Sequence, residues 1–307
     1  EGESAVFLQL NHSKKIVTLD VTQEAGKKAL IEMLKEADVF LEDWGPSGAD
    51  ALGLGYATLE HINPQLIFCH ITPFGDKGPL AHLPASELVL QAMSEYWTTV
   101  TTPTEAPERI GADIANINTG CMAFIGILAA LLHREDHHSG QRVDVSMLGS
   151  LMCLRGAMWA AITNPEEWSG LYCDSYANPA RTSYQTKDRP VYLYILNSTT
   201  EDFRVILQEL HMENLQTDPR FQNGGRDAIG TGWYSKELAP IWDHYLQSRS
   251  AQEVIDLFLK YNGMGCQYNS LKEALESEQV QGLDMVTDPD IPTLDKLKFI
   301  RPPWQGL

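Results

Sequence analysis

The sequence lacks several features that would assign it quickly to a class. Its 307 residues contain no CxxC pair, and the five cysteines are odd in number and scattered. This pattern argues against a zinc site or a disulfide framework and favours buried free thiols in a reducing compartment. The N-terminal residues show no basic start followed by an apolar run, so no signal peptide is predicted. We therefore expect a cytoplasmic protein.

Cations and long apolar runs are also scarce. Lysine and arginine number 23 against 41 acidic residues, which leaves a net charge of −18. Such a surface repels nucleic acid and anionic membranes, although local amides and a few lysines can still hold a small anion. The longest apolar stretch, residues 120–132, is shorter than the roughly 20 residues that span a bilayer. We expect it to be a buried core helix and expect no membrane partner.

The first part of the chain alternates strand and helix patterns. Residues 15–21, 38–42 and 66–71 are predicted strands. Apolar residues recur at helical spacing over residues 23–37, and residues 59–62 lie in a short helical stretch. This alternation predicts a mainly parallel sheet covered by helices.

A second strand and helix pattern follows the apolar stretch. A long helix is predicted over residues 112–133, and a strand over residues 142–147. Within that strand Asp144 and Ser146 share one face, because successive side chains alternate between the two faces. A further helical pattern continues through residue 158.

Changes in local composition and in secondary-structure pattern predict the domain boundaries. We expect a large Rossmann-like domain over residues 1–180, a smaller α/β domain over residues 181–270, and a return to the large domain over residues 271–307. A doubly wound domain usually opens with a strand and a Gly-rich turn, and this chain begins beside what looks like a later strand. We expect that an N-terminal part of the large domain precedes this sequence.

Short segments recur in a recognisable order along nearly the whole chain. They are NHSKKIVTLD at 11–20, ADV at 37–39, EDWGPSGADALGLGY at 42–56, NPQLI at 63–67, PFG at 73–75, GP at 78–79, QAMS at 91–94, GILAALLHRE at 126–135, GQRVDVSM at 140–147 and DPRF at 218–221. In this order and spacing they resemble the class III coenzyme A transferases. That family includes formyl-CoA transferase, carnitine CoA-transferase and α-methylacyl-CoA racemase.

The resemblance implies both an architecture and a mechanism. It implies an α/β protein with a Rossmann-like large domain and a small α/β domain, whose subunits thread through each other as an interlocked dimer. In the family an aspartate attacks the donor acyl-CoA, forms a mixed anhydride and then an enzyme-bound CoA thioester, and CoA finally passes to the acceptor carboxylate. This is covalent catalysis, which divides one hard step into easier ones.

The sequence departs from the family at the nucleophile. Gly149 stands where the resemblance places the catalytic aspartate. The nearest preceding carboxylate, Asp144, is five residues away, or about 16 Å along an extended strand. Family contacts to CoA are also replaced; the replaced positions are Thr22, Ala51, Pro84 and Ser86.

Other family ligand positions are retained. By resemblance, the retained candidates for CoA contact are Leu19, Asp20, Asp43, Trp44, Gly45 and Glu87. We expect the CoA site of this subunit to be largely disused, and we expect no metal site and no tightly bound cofactor.

These observations favour a non-catalytic subunit of a CoA-transferase complex. A homologous catalytic subunit is then expected to supply the aspartate, as in heteromeric members such as succinyl-CoA:benzylsuccinate CoA-transferase, with an acyl-CoA, such as succinyl-CoA, and a carboxylic acid as substrates. Two alternatives stay open. The chain is either a regulatory or binding homologue without turnover, or a transferase or lyase that uses another carboxylate such as Glu87.

Overall fold

The structure, a computed structural model, describes residues 4–94, 109–154, 183–195, 197–230, 234–287 and 298–301. Contacts between Cα atoms divide the chain into two compact units. The parallel unit comprises Leu19–Arg181 and Thr231–Lys236, and the antiparallel unit comprises Glu1–Thr18, Thr182–Gly230 and Glu237–Leu307.

This division differs from the sequence-based boundaries at both ends of the chain. Residues 1–18 and 271–307, which the sequence analysis gave to the large domain, group with the antiparallel unit. Gln9 and Ile300 account for part of this grouping, because the Gln9 side-chain amide donates to the Ile300 carbonyl at 3.0 Å and accepts from the Ile300 N–H at 3.0 Å. Such a contact between the two ends leaves no periodic signal in the sequence.

The parallel unit alternates helices with three strands. Its described elements in chain order are α2 (Glu24–Leu34), β1 (Val39–Glu42), α3 (Gly48–Ala51), α4 (Tyr56–Ile62), β2 (Ile67–Thr72), α5 (Glu87–Met93), α6 (Ile114–His137), β3 (Gln141–Ser146) and α7 (Met147–Leu154). The helix α1 (Ala5–Asn11) precedes them and belongs to the antiparallel unit.

The strands form a parallel sheet in the order β1-β2-β3. The central strand β2 is buried at Ile67, Phe68, Cys69 and His70. Since all three strands are parallel, their carboxyl ends meet at one edge of the sheet, which is where ligands bind in open α/β folds. The fold class predicted from the sequence is confirmed here.

Two buried clusters pack the helices of this unit, one of them against the sheet. One joins α2, α4 and β2 through Leu34, Leu59 and Phe68. The other joins α5, α6 and α7 through Leu90, Ala115 and Leu151, each of them fully buried. The second cluster fixes the start of α7, and with it residue 149.

The long helix α6 has a buried face of small residues and an open face of large ones. The buried face carries Ala115, Asn118, Thr119, Ala123 and Ala130. The open face carries Ile117, Phe124, Ile125, Leu128 and Leu132, which are between 44% and 71% exposed. The prediction of a buried core helix is therefore wrong for this second face.

The same helix is longer than its most apolar stretch suggested. It runs over 24 residues, and in the described part of the chain it is the one helix long and apolar enough to cross a membrane by length and composition. Core helices meet the same criterion, and 28% of its most apolar window is buried. The absence of a membrane partner stays a prediction.

The antiparallel unit is built around a second sheet and an aromatic core. Its described elements after residue 182 are β4 (Tyr184–Gln185), β5 (Pro190–Tyr194), α8 (Thr200–Glu209), α9 (Ser235–Leu246), α10 (Ala251–Lys260), β6 (Met264–Gln267), α11 (Leu271–Glu276), α12 (Glu278–Gly282), β7 (Val286–Thr287) and β8 (Phe299–Ile300). Trp242 is fully buried, and its indole N–H donates to the Ala228 carbonyl at 2.8 Å. Capping boxes begin α8, α10 and α11.

Several local predictions are corrected by the structure. Residues 15–21, predicted as a strand, form no regular element. Residues 271–282, given to the large domain from the sequence, form two short helices divided at Ser277, whose extended backbone ends α11 and whose side chain caps α12. Cys69 is buried as expected, but Cys121, Cys153 and Cys266 are exposed free thiols, while Cys173 lies outside the described residues.

Candidate functional site

Three chain segments meet at the carboxyl edge of the parallel sheet. Asp43, Trp44 and Gly45 follow β1, residues 73–78 follow β2, and α7 begins directly after β3. The register pairs Glu42 with His70 and His70 with Asp144, so these three side chains lie on one face of the sheet. We call this part of the molecule the carboxyl edge.

Gly149 lies in the first turn of α7, at that edge. Its N–H donates to the Ser146 hydroxyl oxygen at 3.0 Å, which makes Ser146 the cap of the helix. Gly149 is exposed, and a Cβ added there meets the Ser146 Cβ at 3.3 Å. The position is helical and exposed to solvent, it carries no side chain, and a side chain there needs a small shift of Ser146.

The loop of residues 73–78 lies against the start of α7. The Leu148 N–H donates to the Pro73 carbonyl at 3.0 Å. Gly75 has φ +86°, which favours glycine, and its N–H donates to the Thr72 hydroxyl oxygen at 3.0 Å. A Cβ added to Gly75 would be 3.6 Å from the Ser146 Cβ, so this loop and the helix cap are in contact.

A row of charged side chains joins this loop to the strands of the sheet. The His70 ring faces Glu42 through Nδ1 and Asp76 through Nε2, the second contact at 3.2 Å. The Arg142 guanidinium pairs with Asp76 and donates through Nε to Asp144 at 2.7 Å. These side chains were not predicted as site residues, although a histidine and a carboxylate in otherwise apolar strands are a signal that the sequence contains.

Burial and the carboxylates of this row both shift the pKa values of neighbouring groups. Burial lowers the pKa of Arg142, but the hydrogen bond to Asp144 and the charges of Asp144 and Asp76 outweigh it and raise the pKa overall. Burial, and then the charges of Asp144 and Glu42, raise the pKa of the Cys69 thiol to about 11. Cys69 is therefore an inert buried thiol at neutral pH.

Glu87 caps the long helix α6. One carboxylate oxygen accepts from the Ala115 N–H at 2.7 Å and from the Gln91 side chain at 2.7 Å. The other accepts from the Asn116 N–H at 2.9 Å and from its side chain at 2.6 Å. Four donors occupy the lone pairs of this carboxylate, so its role in the described structure is to satisfy the start of α6.

The remaining predicted site residues lie in two places. Asp20 accepts from the Thr22 N–H at 3.0 Å and from its hydroxyl at 2.5 Å, and half-buried Leu19 precedes it. Trp44 is 39% exposed and packs edge-on against Phe40, with ring centroids 5.8 Å apart. These contacts give Asp20 and Trp44 local structural roles, and whether they also contact CoA stays a prediction.

Gly45 and Asp43 complete the turn after β1. Gly45 has φ +83°, and its carbonyl accepts from the Gly48 N–H at 3.0 Å. Asp43 is exposed, and in the described part of the chain its carboxylate makes no hydrogen bond or ion pair. Asp43 is therefore an accessible carboxylate at this edge that has no partner among the described residues.

A cation pair that sequence reasoning missed lies on α2. Lys27 and Lys28 line an open cavity of about 380 Å³ together with Glu24, Ala25 and Ile31. The Lys27 ammonium reaches the turn after α3, since a Cβ added to Gly53 would be 2.8 Å from it. Within the described residues Lys27 has no carboxylate within ion-pair distance, so its charge is available to an anion.

Together the fold and this edge define a parallel α/β protein with its candidate site at the carboxyl ends of the strands. The family model CoA-transferase family III matches residues 1–306, and the chain belongs to that family. The prediction made from the ordered segments is confirmed.

Named relatives share the sequence over much of the chain. An acetyl-CoA:oxalate CoA-transferase from Acetobacter aceti is 33% identical over 71% of this chain, and the match spans 56% of that relative's length. A succinyl-CoA:glutarate CoA-transferase from Mus musculus is 28% identical over 98% of this chain and 68% of its own length. Enzymes of this family use CoA thioesters as substrates.

Solved structures share the fold. A CaiB/BaiF family protein from Brucella suis superposes with a TM-score of 0.80 at 24% identity, covering 100% of this chain and 79% of its own. A hypothetical protein from Mycobacterium tuberculosis has a TM-score of 0.79 at 25% identity, with 97% and 78% covered. These likenesses support the fold class and carry no residue roles.

Proposed function

We propose that this chain is a subunit of a class III CoA transferase that moves CoA from an acyl-CoA to a carboxylic acid without supplying the nucleophile. One observation carries the proposal. Gly149 lies exposed in the first turn of α7, at the carboxyl edge, where the family resemblance expects an aspartate. The backbone for a catalytic carboxylate is present and the carboxylate is not.

The start of a helix is a suitable place for such a carboxylate. The helix dipole stabilises a negative charge there. In the family reaction a carboxylate oxygen bonds to the thioester carbonyl carbon, the C–S bond breaks, and the CoA thiolate leaves. Gly149 can hold neither the attacking oxygen nor the acyl group, so in this proposal those steps belong to another chain.

The carboxylates of the charged row do not replace the missing aspartate. Asp144 is held by Arg142, while Asp76 is held by Arg142 and His70. Glu42 accepts from the Trp44 N–H at 2.9 Å and faces His70. Each is engaged in the fold, which argues against its use as a nucleophile.

The surroundings of two other carboxylates also support a non-catalytic subunit. Glu87, the alternative considered from the sequence, is saturated by four donors. Asp43 has no partner among the described residues, but it follows β1, two strands from β3, or about 10 Å across the sheet. Asp43 therefore lies on a different strand from residue 149, which is the position that the family resemblance gives to the nucleophile.

The proposal includes a homologous catalytic partner and an interlocked assembly. The open face of α6 supports it, because an apolar helix face of this size in a chain of net charge −18 favours burial against another chain. Exposed free thiols at Cys121 and Cys153 fit the reducing cytoplasm in which we place the complex. The acids named for the relatives are oxalate and glutarate, so we propose a dicarboxylic acceptor and, by the second relative, a succinyl-CoA donor.

The open cavity on α2 favours a second candidate function, a binding homologue that holds CoA without turnover. Lys27 and Lys28 could pair with CoA phosphates although the family positions at Thr22 and Ala51 carry no cation. Calorimetric titration with CoA distinguishes the candidates. Binding that is lost in Lys27→Glu and kept in the control Lys272→Glu, an exposed lysine of the antiparallel unit, supports the binding homologue.

The central test is the restored nucleophile. We expect Gly149→Asp, incubated with succinyl-CoA and glutarate, to show little turnover and little covalent adduct by mass spectrometry, because the CoA contacts at Thr22, Ala51, Pro84 and Ser86 are still missing. Gly149→Asn is the control of equal size. Efficient turnover by Gly149→Asp contradicts this account of the missing contacts.

Copurification tests the partner. We expect the chain isolated from its native host to come with a homologous chain that has aspartate at the position of Gly149. A homodimer with full transferase activity would overturn the proposal. We also expect Ile125→Lys with Leu132→Lys to prevent assembly, whereas Leu271→Lys, on a residue that is 77% exposed in the antiparallel unit, leaves it intact.

A further inference from the structure

His70 is buried between two carboxylates. Its side chain is 5% exposed, and that of Glu42 is 1% exposed. The ring faces Glu42 with Nδ1 and Asp76 with Nε2. The proposed mechanism uses none of these groups, so their arrangement calls for a separate explanation.

The arrangement has a chemical requirement. Ionised carboxylates only accept hydrogen bonds, and a neutral imidazole donates through one nitrogen alone. A ring that faces a carboxylate on each side satisfies both when it carries two protons. The other charged groups near it are Arg142, which pairs with Asp76, and Asp144, which pairs with Arg142. The row then alternates in sign from β1 through the loop to β3.

The two carboxylates belong to different segments of the carboxyl edge. Glu42 ends β1 and accepts from the Trp44 N–H at 2.9 Å, which orients the turn of residues 43–45. Asp76 belongs to the loop of residues 73–78, whose Pro73 carbonyl accepts from the Leu148 N–H of α7. A single side chain, His70, therefore links the turn after β1 to the loop that supports α7.

We propose that His70, as an imidazolium, is a positioning residue that fastens both segments to the sheet beside residue 149. The catalytic meaning of residue 149 rests on the proposed function, whereas the contacts of His70 with the two segments do not depend on it. It acts through Glu42 and Asp76, and His70 contacts no substrate.

Two measurements on the whole chain test this inference. Nitrogen NMR of the imidazole reports whether one or both ring nitrogens carry a proton. Hydrogen exchange, followed by mass spectrometry, reports the opening of residues 43–45 and 73–78. The variants are His70→Gln, Asp76→Asn and the control His61→Gln, an exposed histidine in α4.

The expected results differ for each variant. We expect two protons on the His70 ring in the unaltered chain and one in Asp76→Asn, because the asparagine amide can donate to Nε2 and so removes the need for the second proton. The single amide of His70→Gln cannot donate to Glu42 and Asp76 at once, so each segment is unfastened part of the time and exchange in both becomes about tenfold faster. Asp76→Asn keeps both segments protected, and His61→Gln changes neither.

Three outcomes would overturn the inference. They are a singly protonated His70 ring in the unaltered chain, faster exchange in one segment alone in His70→Gln, and faster exchange throughout the parallel unit. If His70→Gln does not fold, the NMR comparison of the unaltered chain with Asp76→Asn still decides. Neither measurement uses CoA, turnover or a partner chain, so a failure here leaves the proposed function untouched.

Discussion

The starts of α6 and α7 lie in the same unit and are capped in opposite ways. At the start of α6 a carboxylate from another helix, Glu87, accepts from the Ala115 and Asn116 N–H groups. At the start of α7 the hydroxyl of Ser146 accepts from the Gly149 N–H. One helix start is closed by a full negative charge, while the other has a neutral cap and an exposed glycine.

The difference shows how one physical preference can serve structure or chemistry. A helix start attracts a carboxylate because its first N–H groups lack partners. At α6 the Glu87 carboxylate accepts four hydrogen bonds and has no lone pair left for a reaction. At α7 the hydroxyl cap leaves the first turn open, which is the arrangement that a reactive carboxylate requires and that this chain leaves empty.

Glu87→Gln tests the closed start and has the largest expected effect. Charge-assisted hydrogen bonds to a partly buried carboxylate each contribute about 1.5–3 kcal/mol, and an amide replaces two good acceptors with one. We expect the free energy of unfolding to fall by about 2–3 kcal/mol in urea titrations. The control is Glu36→Gln, at an exposed glutamate, with an expected change near zero. An unchanged stability would return Glu87 to the list of candidate nucleophiles.

Ser146→Ala tests the neutral cap. Loss of a helix cap typically costs about 1 kcal/mol, and alanine keeps the Cβ of Ser146 while removing the hydroxyl that accepts from the Gly149 N–H. We expect a decrease of about that size in the free energy of unfolding, measured in the same titrations beside Ser139→Ala in an exposed loop. Equal effects of the two substitutions would show that Ser146 does not cap α7.

Gly149→Ala asks whether glycine is needed at the open start. Replacing glycine by alanine inside a helix stabilises by about 0.5–1 kcal/mol, and the new Cβ meets the Ser146 Cβ at 3.3 Å, so Ser146 must shift slightly. We expect a small net gain in the thermal midpoint. A clear loss would indicate that the backbone needs glycine here and that an aspartate never fitted this position.

A negative charge at residue 149 has the smallest expected effect on stability. Gly149→Asp is predicted to be more stable than Gly149→Asn by about 0.3–1 kcal/mol because the helix dipole favours a negative charge in its first turn. The difference should shrink in high salt, which screens exposed charges. No difference between the two variants at low salt would mean that the start of α7 does not favour an anion.

Much of the parallel sheet could be predicted from local pattern. The strands β1, β2 and β3 and the helices α2 and α6 match their predictions within a few residues, because burial on one or both faces imposes a period that the sequence carries. The failures are short or irregular elements. Residues 15–21 alternate like a strand but find no partner strand in the described structure, and α1 and the strand β6 lack a strong period of their own.

The candidate site divides in the same way. The family resemblance located Gly149 and the ligand positions, because the order of motifs is a property of the sequence. It could not show that Glu87 caps α6, since its partners are 28 and 29 residues away in sequence. Nor could it show that His70 faces Asp76 and Glu42 at once, or that Lys27 lies beside Gly53.

The family, the parallel α/β class and the missing side chain at residue 149 could all be inferred from the order of the amino acids. These depend on residue identity and on short-range periodicity. The tertiary structure alone decided which carboxylates are free. Whether a carboxylate is free depends on hydrogen-bond donors brought from distant parts of the chain. Glu87 has four such donors, and Asp43 has none among the described residues. Nothing in the local sequence distinguishes these two carboxylates.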